Sequence, residues 1–144
     1  MTTMDEFTVA FVGGTGNLGS ALALRLGAPG VKIIIGSRDA GKAKNAVESL
    51  RPKLRAGEIA GTTNQEAVKS ANFVVIAVPY EGHAQMVSDL KGQLAGKIVL
   101  DTVVAPNKVK PFVRPAGSAL QEAQQILGDE APVIGALHNI SAVN

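Results

Sequence analysis

Residues Phe7 to Leu26 read FTVAFVGGTGNLGSALALRL: an apolar run, a glycine turn and a helical stretch in immediate succession. Phe7–Val12 is short, rich in Phe and Val, and stops at glycine, which is how a buried strand reads. Gly14-Thr15-Gly16-Asn17-Leu18-Gly19 follows as a G-x-G-x-x-G run. Apolar residues then recur at helical spacing through Asn17–Leu26, until Gly27-Ala28-Pro29-Gly30 stops the helix. A glycine run alone is weak in a chain with 16 glycines. Here it ends a strand and opens a helix, the context in which it holds a pyrophosphate. The first glycines allow a tight turn with positive φ, Gly16 lets the backbone approach a phosphate, and Gly19 lets the helix pack closely. Free N–H groups at the helix N-terminus then face the anion.

Outward from this unit, strands and helices alternate. Val31–Ile35 is a second apolar strand, and Ala40–Leu50 an amphipathic helix with Pro52 near its end. Glu58–Gly61 is a weak strand suited to an edge, and Thr63 with Glu66 makes a capping box for a helix to Ala71. Phe73–Val78 is the third strong strand, ended by Pro79, and a helix is expected over His83–Leu94. Lys97–Leu100 is a strand, Asn107–Gly117 a loop, and Ser118 with Gln121 caps a helix that stops at Gly128. Val133–Leu137 is the last strand. Strands that are apolar throughout belong to a parallel sheet covered on both faces. The expectation is one α/β domain over residues 1–144, a doubly wound parallel sheet of the Rossmann type in order 3-2-1-4-5-6. Ligands of such sheets bind at the carboxyl ends of the strands, so the loops after Val12, Ile35, Val78, Leu100 and Leu137 should carry the chemistry.

Composition narrows the function classes. The chain is 46% hydrophobic and 18% charged, has no cysteine, and carries a formal charge of +2 from scattered basic residues. That argues against a disulfide framework, a thiolate metal site or a concentrated nucleic-acid face. Aromatics at 3% offer no base-stacking platform. Without an apolar run near 18 residues no membrane span is expected, and the polar start of the chain is unlike a signal peptide, so a cytoplasmic protein is expected.

The end of the second strand points to the cofactor. NAD-selective domains place a carboxylate there to grip the ribose 2′-OH. This chain has Gly36-Ser37-Arg38, with Lys42 one helical turn on. Arg38 presents a planar fork to a 2′-phosphate and Ser37 a hydroxyl. Charge-assisted bonds of about 1.5–3 kcal/mol each give roughly ten- to hundred-fold preference per contact. NADP(H) is therefore expected over NAD(H).

Four blocks together are similar to the NADPH-dependent coenzyme F420 reductases, or F420H2:NADP oxidoreductases. They are Val12–Gly19, Gly36-Ser37-Arg38, Ala77-Val78-Pro79-Tyr80-Glu81-Gly82-His83-Ala84 and Ala136-Leu137-His138-Asn139-Ile140-Ser141-Ala142. The resemblance implies hydride transfer between NADP(H) and the 5-deazaflavin coenzyme F420. It implies that Gly14, Thr15, Gly16, Asn17, Leu18 and Gly19 hold the pyrophosphate and nicotinamide side, and that Ser37, Arg38 and Lys42 hold the 2′-phosphate. Ala77, Val78 and Pro79 would line the cofactor. His138, Asn139 and Ile140 would lie where the deazaflavin meets the nicotinamide, with His138 and Thr15 as the catalytic residues. Both reactive carbons belong to cofactors, so no triad and no metal are expected. His138 reads equally as a satisfied strand-end histidine. His83 reads as a capping or packing residue at a helix start, and Asp101 and Thr102 equally as active-edge residues or an exposed turn. The resembled family continues into a further, largely helical portion. This sequence stops at Asn144, so the expectation is a truncated product, one half of a split enzyme, or a domain that works as a homodimer or with a partner chain supplying that portion. Two other readings stay open: an NADPH-dependent ferric or flavin reductase domain, and a non-catalytic NADP-binding module.

Overall fold

The computed structural model describes residues 7–103 and 118–136. Six strands form one sheet: β1 (Phe7–Val12), β2 (Val31–Ser37), β3 (Glu58–Thr63), β4 (Phe73–Ile76), β5 (Ile98–Asp101) and β6 (Val133–Gly135). Their order is β3-β2-β1-β4-β5-β6, and every neighbouring pair is parallel. This is the doubly wound order expected from the alternation of apolar runs and helices, with β3 on an edge. The helices are α1 (Asn17–Leu26), α2 (Ala40–Leu50), α3 (Asn64–Ser70), α4 (Tyr80–Asp89), α5 (Lys91–Leu94) and α6 (Ala119–Leu127).

The strands are apolar throughout because each face of the sheet has its own core. Val9, Phe11, Ile33, Ile35 and Val75 pack with Ala23, Ala43, Val47 and Leu50 of α1 and α2. Ala10, Val12, Ile34, Val74, Ile76 and Val99 pack with Ala67, Val68, Val87, Leu90, Ala123 and Leu127 of the remaining helices. Successive side chains alternate faces, so both sets of a strand must be apolar when helices cover both sides.

Local chemistry sets the helix ends. Asp39 caps α2 by accepting from Gly41 and Lys42 N–H, Thr63 caps α3 through Glu66 N–H, and Ser118 caps α6 through Gln121 N–H. The structure revises several boundaries. β2 and β3 run on to Ser37 and Thr63, while β4 ends at Ile76 rather than Val78. β5 is shifted by one residue, to Ile98–Asp101. The helix expected from His83 starts at Tyr80, directly after Pro79, and breaks at Leu90 (φ −95, ψ 0) into α4 and α5. Leu90 and Leu94 are both fully buried. β6 ends at Gly135 rather than Leu137, and the loop expected at 107–117 lies outside the described residues.

Candidate functional site

The order in which strands are added reverses between β1 and β4, and the turns that follow these two strands meet at the carboxyl edge of the sheet. Gly13, immediately after β1, has φ +71. A Cβ there would lie 2.7 Å from Val78 Cγ1 and 2.9 Å from the Ala77 carbonyl, so only glycine fits. The Gly13 N–H donates to Asn64 Oδ1 at 3.2 Å, and Gly14 N–H donates to the Phe11 and Gly36 carbonyls. Gly19 lets α1 close on the loop, since a Cβ there would sit 2.8 Å from Gly14 Cα. Gly16 is different. Its backbone is ordinary and extended (φ −76, ψ 170), and a Cβ would meet nothing nearer than the Gly13 carbonyl at 3.7 Å. Neither strain nor internal packing requires glycine at this position. Gly16 is also the N-cap of α1 and supplies no side-chain bond, unlike the caps of α2, α3 and α6. The first-turn N–H groups of α1 have no intrahelical acceptor and face the edge with the helix's positive end. Thr15, Gly16 and Asn17 are exposed there.

At the end of β2, Arg38 and Lys42 are exposed, and among the described residues neither has an ion-pair partner. Ser37 is buried, and its Oγ accepts from Asp39 N–H at 3.2 Å, which leaves the hydroxyl proton free to donate. The last residue of β2 is not a carboxylate, but Asp39 stands two residues further on. Its Oδ1 accepts from Gly41 N–H at 2.7 Å and Lys42 N–H at 3.2 Å, so the group acts as a helix cap.

The ends of β4 and β5 hold a feature that the sequence did not reveal. Asp101 and Thr102 are buried rather than an exposed turn. Asp101 Oδ2 lies 2.6 Å from His83 Nε2, and both side chains are 0% exposed. Asp101 Oδ1 accepts from Val103 N–H at 3.0 Å, and Thr102 Oγ1 donates to the Ile76 carbonyl at 2.7 Å. His83 is thus a packed interior residue of α4. A cleft of about 380 Å³ lined by Arg51, Leu54, Gly57, Glu58 and Ile59 lies beside the amino end of β3, at the opposite edge of the sheet from the glycine loop.

Residues 8–105 match the family described as NADP oxidoreductase coenzyme F420-dependent. The chain belongs to this family. It is 37% identical over 142 residues to the F420-dependent NADP reductase of Methanocaldococcus jannaschii, covering 92% of this chain and 63% of that protein. The F420-dependent NADP reductase of Methanothermobacter marburgensis is 34% identical over 146 residues, covering 93% and 64%. The chain therefore spans a little under two thirds of the length of these curated relatives. Among solved structures, a pyrroline-5-carboxylate reductase from Coxiella burnetii superposes with a TM-score of 0.58 at 18% identity, over 92% of this chain and 44% of that one. A lactate dehydrogenase from Cryptosporidium parvum gives 0.56 at 16% identity, over 88% and 41%. These two likenesses concern the fold alone.

In this F420-dependent NADP oxidoreductase family member, the carboxyl edge brings together Gly14, Thr15, Gly16, Asn17, Leu18 and Gly19 with Ala77, Val78 and Pro79. Ser37, Arg38 and Lys42 stand beside them, because Gly36 at the end of β2 holds Gly14 N–H. His138, Asn139 and Ile140 lie outside the described residues. Reading the sequence missed Gly13, Asn64 and the His83–Asp101 pair. Gly13 carried a signal, since it directly precedes the motif. The Gly13–Asn64 and His83–Asp101 contacts carried none, because the partners lie 51 and 18 residues apart. Among the described residues, no helix is long and apolar enough to cross a membrane, and no group of three His, Cys, Asp or Glu could hold a metal.

Proposed function

We propose that this chain binds NADP(H) along the carboxyl edge of its sheet and takes part in hydride transfer between NADP(H) and the deazaflavin coenzyme F420. The observation that carries the dinucleotide-binding part is Gly16. It is a glycine that the protein's own packing does not need, at the uncapped N-terminus of α1, where a phosphate would occupy the space a side chain would fill. Arg38 and Lys42 supply cationic charge for a 2′-phosphate, and Ser37 supplies a hydroxyl donor. Asp39 does not compete as a ribose ligand through Oδ1, which is engaged by two amides. The F420 part rests on family membership and on similarity to the F420-dependent NADP reductases.

A nicotinamide and a deazaflavin exchange a hydride directly, so the chemistry resides in the bound molecules. The protein's contribution is proximity and exclusion of water. Gly14–Gly19 would hold the pyrophosphate, and Val78 and Pro79 would form an apolar wall for the nicotinamide half. Thr15 and His138 remain the residues proposed nearest the transfer. A second copy or a partner chain completing the deazaflavin side is part of the same proposal, as is a cytoplasmic setting.

The test is NADPH oxidation with oxidised F420 as acceptor, with NADH and free FAD as controls, alongside binding of 2′,5′-ADP and 5′-ADP. Turnover confined to NADPH with F420, and tighter binding of 2′,5′-ADP, are expected. Equal binding of the two nucleotides would overturn the NADP assignment, and reduction of FAD in preference to F420 would overturn the acceptor.

A further inference from the structure

We propose that His83 and Asp101 are a buried positioning pair that sets the turn Ala77–Pro79 against the nicotinamide half of the cofactor. The inference rests on the NADP reading above and names the residues that would align that end of the site.

The turn is anchored at both ends. At its start, Ala77 N–H donates to the Val12 carbonyl at 2.9 Å, which ties it to β1. At its far end α4 begins directly after Pro79, a residue with no N–H to contribute and no side-chain cap. His83, in the first turn of α4, adds a buried anchor by reaching across to Asp101 at the end of β5. Asp101 is itself braced, because its other oxygen accepts from Val103 N–H and its carbonyl accepts from Ala136 N–H after β6. Thr102 ties the same strand end to the Ile76 carbonyl at the end of β4. Between the two anchors, Val78 stands against Gly13 of the glycine loop. Movement of α4 would therefore change the wall that faces the cofactor.

Stability alone is a poor reason for such a pair. A buried ionisable couple can often be replaced by apolar side chains with little loss, so stability alone does not account for it, and the proposed role is to specify geometry. The pair also fixes a tautomer. Nε2 faces a carboxylate oxygen, whereas Nδ1 is buried and has no hydrogen-bond partner among the described residues. A proton on Nε2 gives the carboxylate its donor and leaves a lone pair at Nδ1 rather than an unpaired N–H. Neither residue is placed in contact with substrate, so both act through the turn.

The experiment uses the full chain, whose two histidines make ¹⁵N-imidazole NMR simple to assign. His83 is expected as the Nε2–H form in the wild type. In Asp101→Asn, the amide oxygen keeps the Val103 bond and the amide N–H faces Nε2, so the His83 proton should move to Nδ1. Binding is then measured with 2′,5′-ADP, which lacks the nicotinamide, and with NADPH, following nicotinamide fluorescence. His83→Leu is expected to leave 2′,5′-ADP affinity unchanged, weaken NADPH roughly tenfold and abolish its emission change. His83→Gln, which can still donate from near the Nε2 position, should restore both. Asp101→Ala, which removes the partner of Nε2, serves the same comparison if His83→Leu does not fold. An Nδ1–H wild type, a wild-type NADPH emission change in His83→Leu or Asp101→Ala, or equal losses for both ligands would overturn the proposal. A wild type that does not bind NADPH fails the underlying reading and this role together, and shows it before any substitution is made.

Discussion

Asn64, the first residue of α3, accepts a hydrogen bond from the Gly13 amide at the end of β1, at 3.2 Å. Its side chain is 2% exposed, and its Nδ2 donates to Met86 Sδ of α4 at 3.7 Å. One amide thus holds the glycine loop and touches the helix behind Ala77–Pro79. Asn64→Ala is expected to cost about 1–3 kcal/mol, the penalty for a Gly13 N–H left without its acceptor. Thermal unfolding measures that loss, and NADPH titration should show weaker binding. A variant with unchanged melting and unchanged affinity would show that the loop holds its shape without Asn64.

Gly16 and Gly13 should respond to substitution in opposite ways. Gly16→Val adds a side chain over open space and should leave thermal stability nearly unchanged. It should weaken NADPH by roughly a hundredfold, through loss of close backbone contact with the pyrophosphate. Gly13→Ala forces a Cβ to within 2.7 Å of Val78 at φ +71, and should destabilise the fold before any ligand is added. Paired melting curves and binding isotherms separate the two. Equal destabilisation by both substitutions would remove the argument that Gly16 serves a ligand.

Arg38→Ala should weaken NADPH by roughly ten- to hundred-fold while changing NADH little, as expected from losing one charge-assisted phosphate contact. The loss should shrink as salt rises, because exposed charges are screened over about 10 Å at 0.1 M. Asp39→Ser keeps a capping side chain but removes a negative charge next to Arg38, so it should tighten NADPH and leave helix α2 intact. Isothermal titration at two salt concentrations checks both substitutions. Parallel losses for NADPH and NADH in Arg38→Ala would contradict the 2′-phosphate assignment.

Ser118→Ala removes the acceptor for Gln121 N–H and should cost about 1 kcal/mol of stability. For a domain of this size that lowers the melting temperature by roughly 2–6 °C. α6 packs on the face of the sheet away from α1 and α2, so NADPH affinity should not change. A calorimetric scan and one titration decide the matter.

Much of the site was legible because its chemistry is local. The glycine run, its strand and its helix are contiguous, and Ser37, Arg38 and Lys42 follow the second strand within a turn. The caps at Thr63 and Ser118 were readable for the same reason, since cap and amide lie three residues apart. The end of β4 was not readable. Val78 is as apolar as Ile76, but the ladder stops where β5 stops, with Ile76 opposite Asp101. Asp101 after an apolar run reads equally as an active-edge residue or an exposed turn, and the packing role read for His83 at a helix start does not name its partner. Their burial arises from α4 folding across β5.

The sequence by itself determined the alternation of elements, the doubly wound parallel sheet, the glycine loop between β1 and α1 and the cationic end of β2. Each of these depends on hydrophobic period, turn chemistry or charge within a few neighbouring residues. Only the tertiary structure decided that Asn64 holds Gly13, that Asp39 caps a helix, and that His83 meets Asp101 in the interior. Such contacts are set by how strands end and helices pack, and the residues that make them become neighbours only when the sheet is assembled.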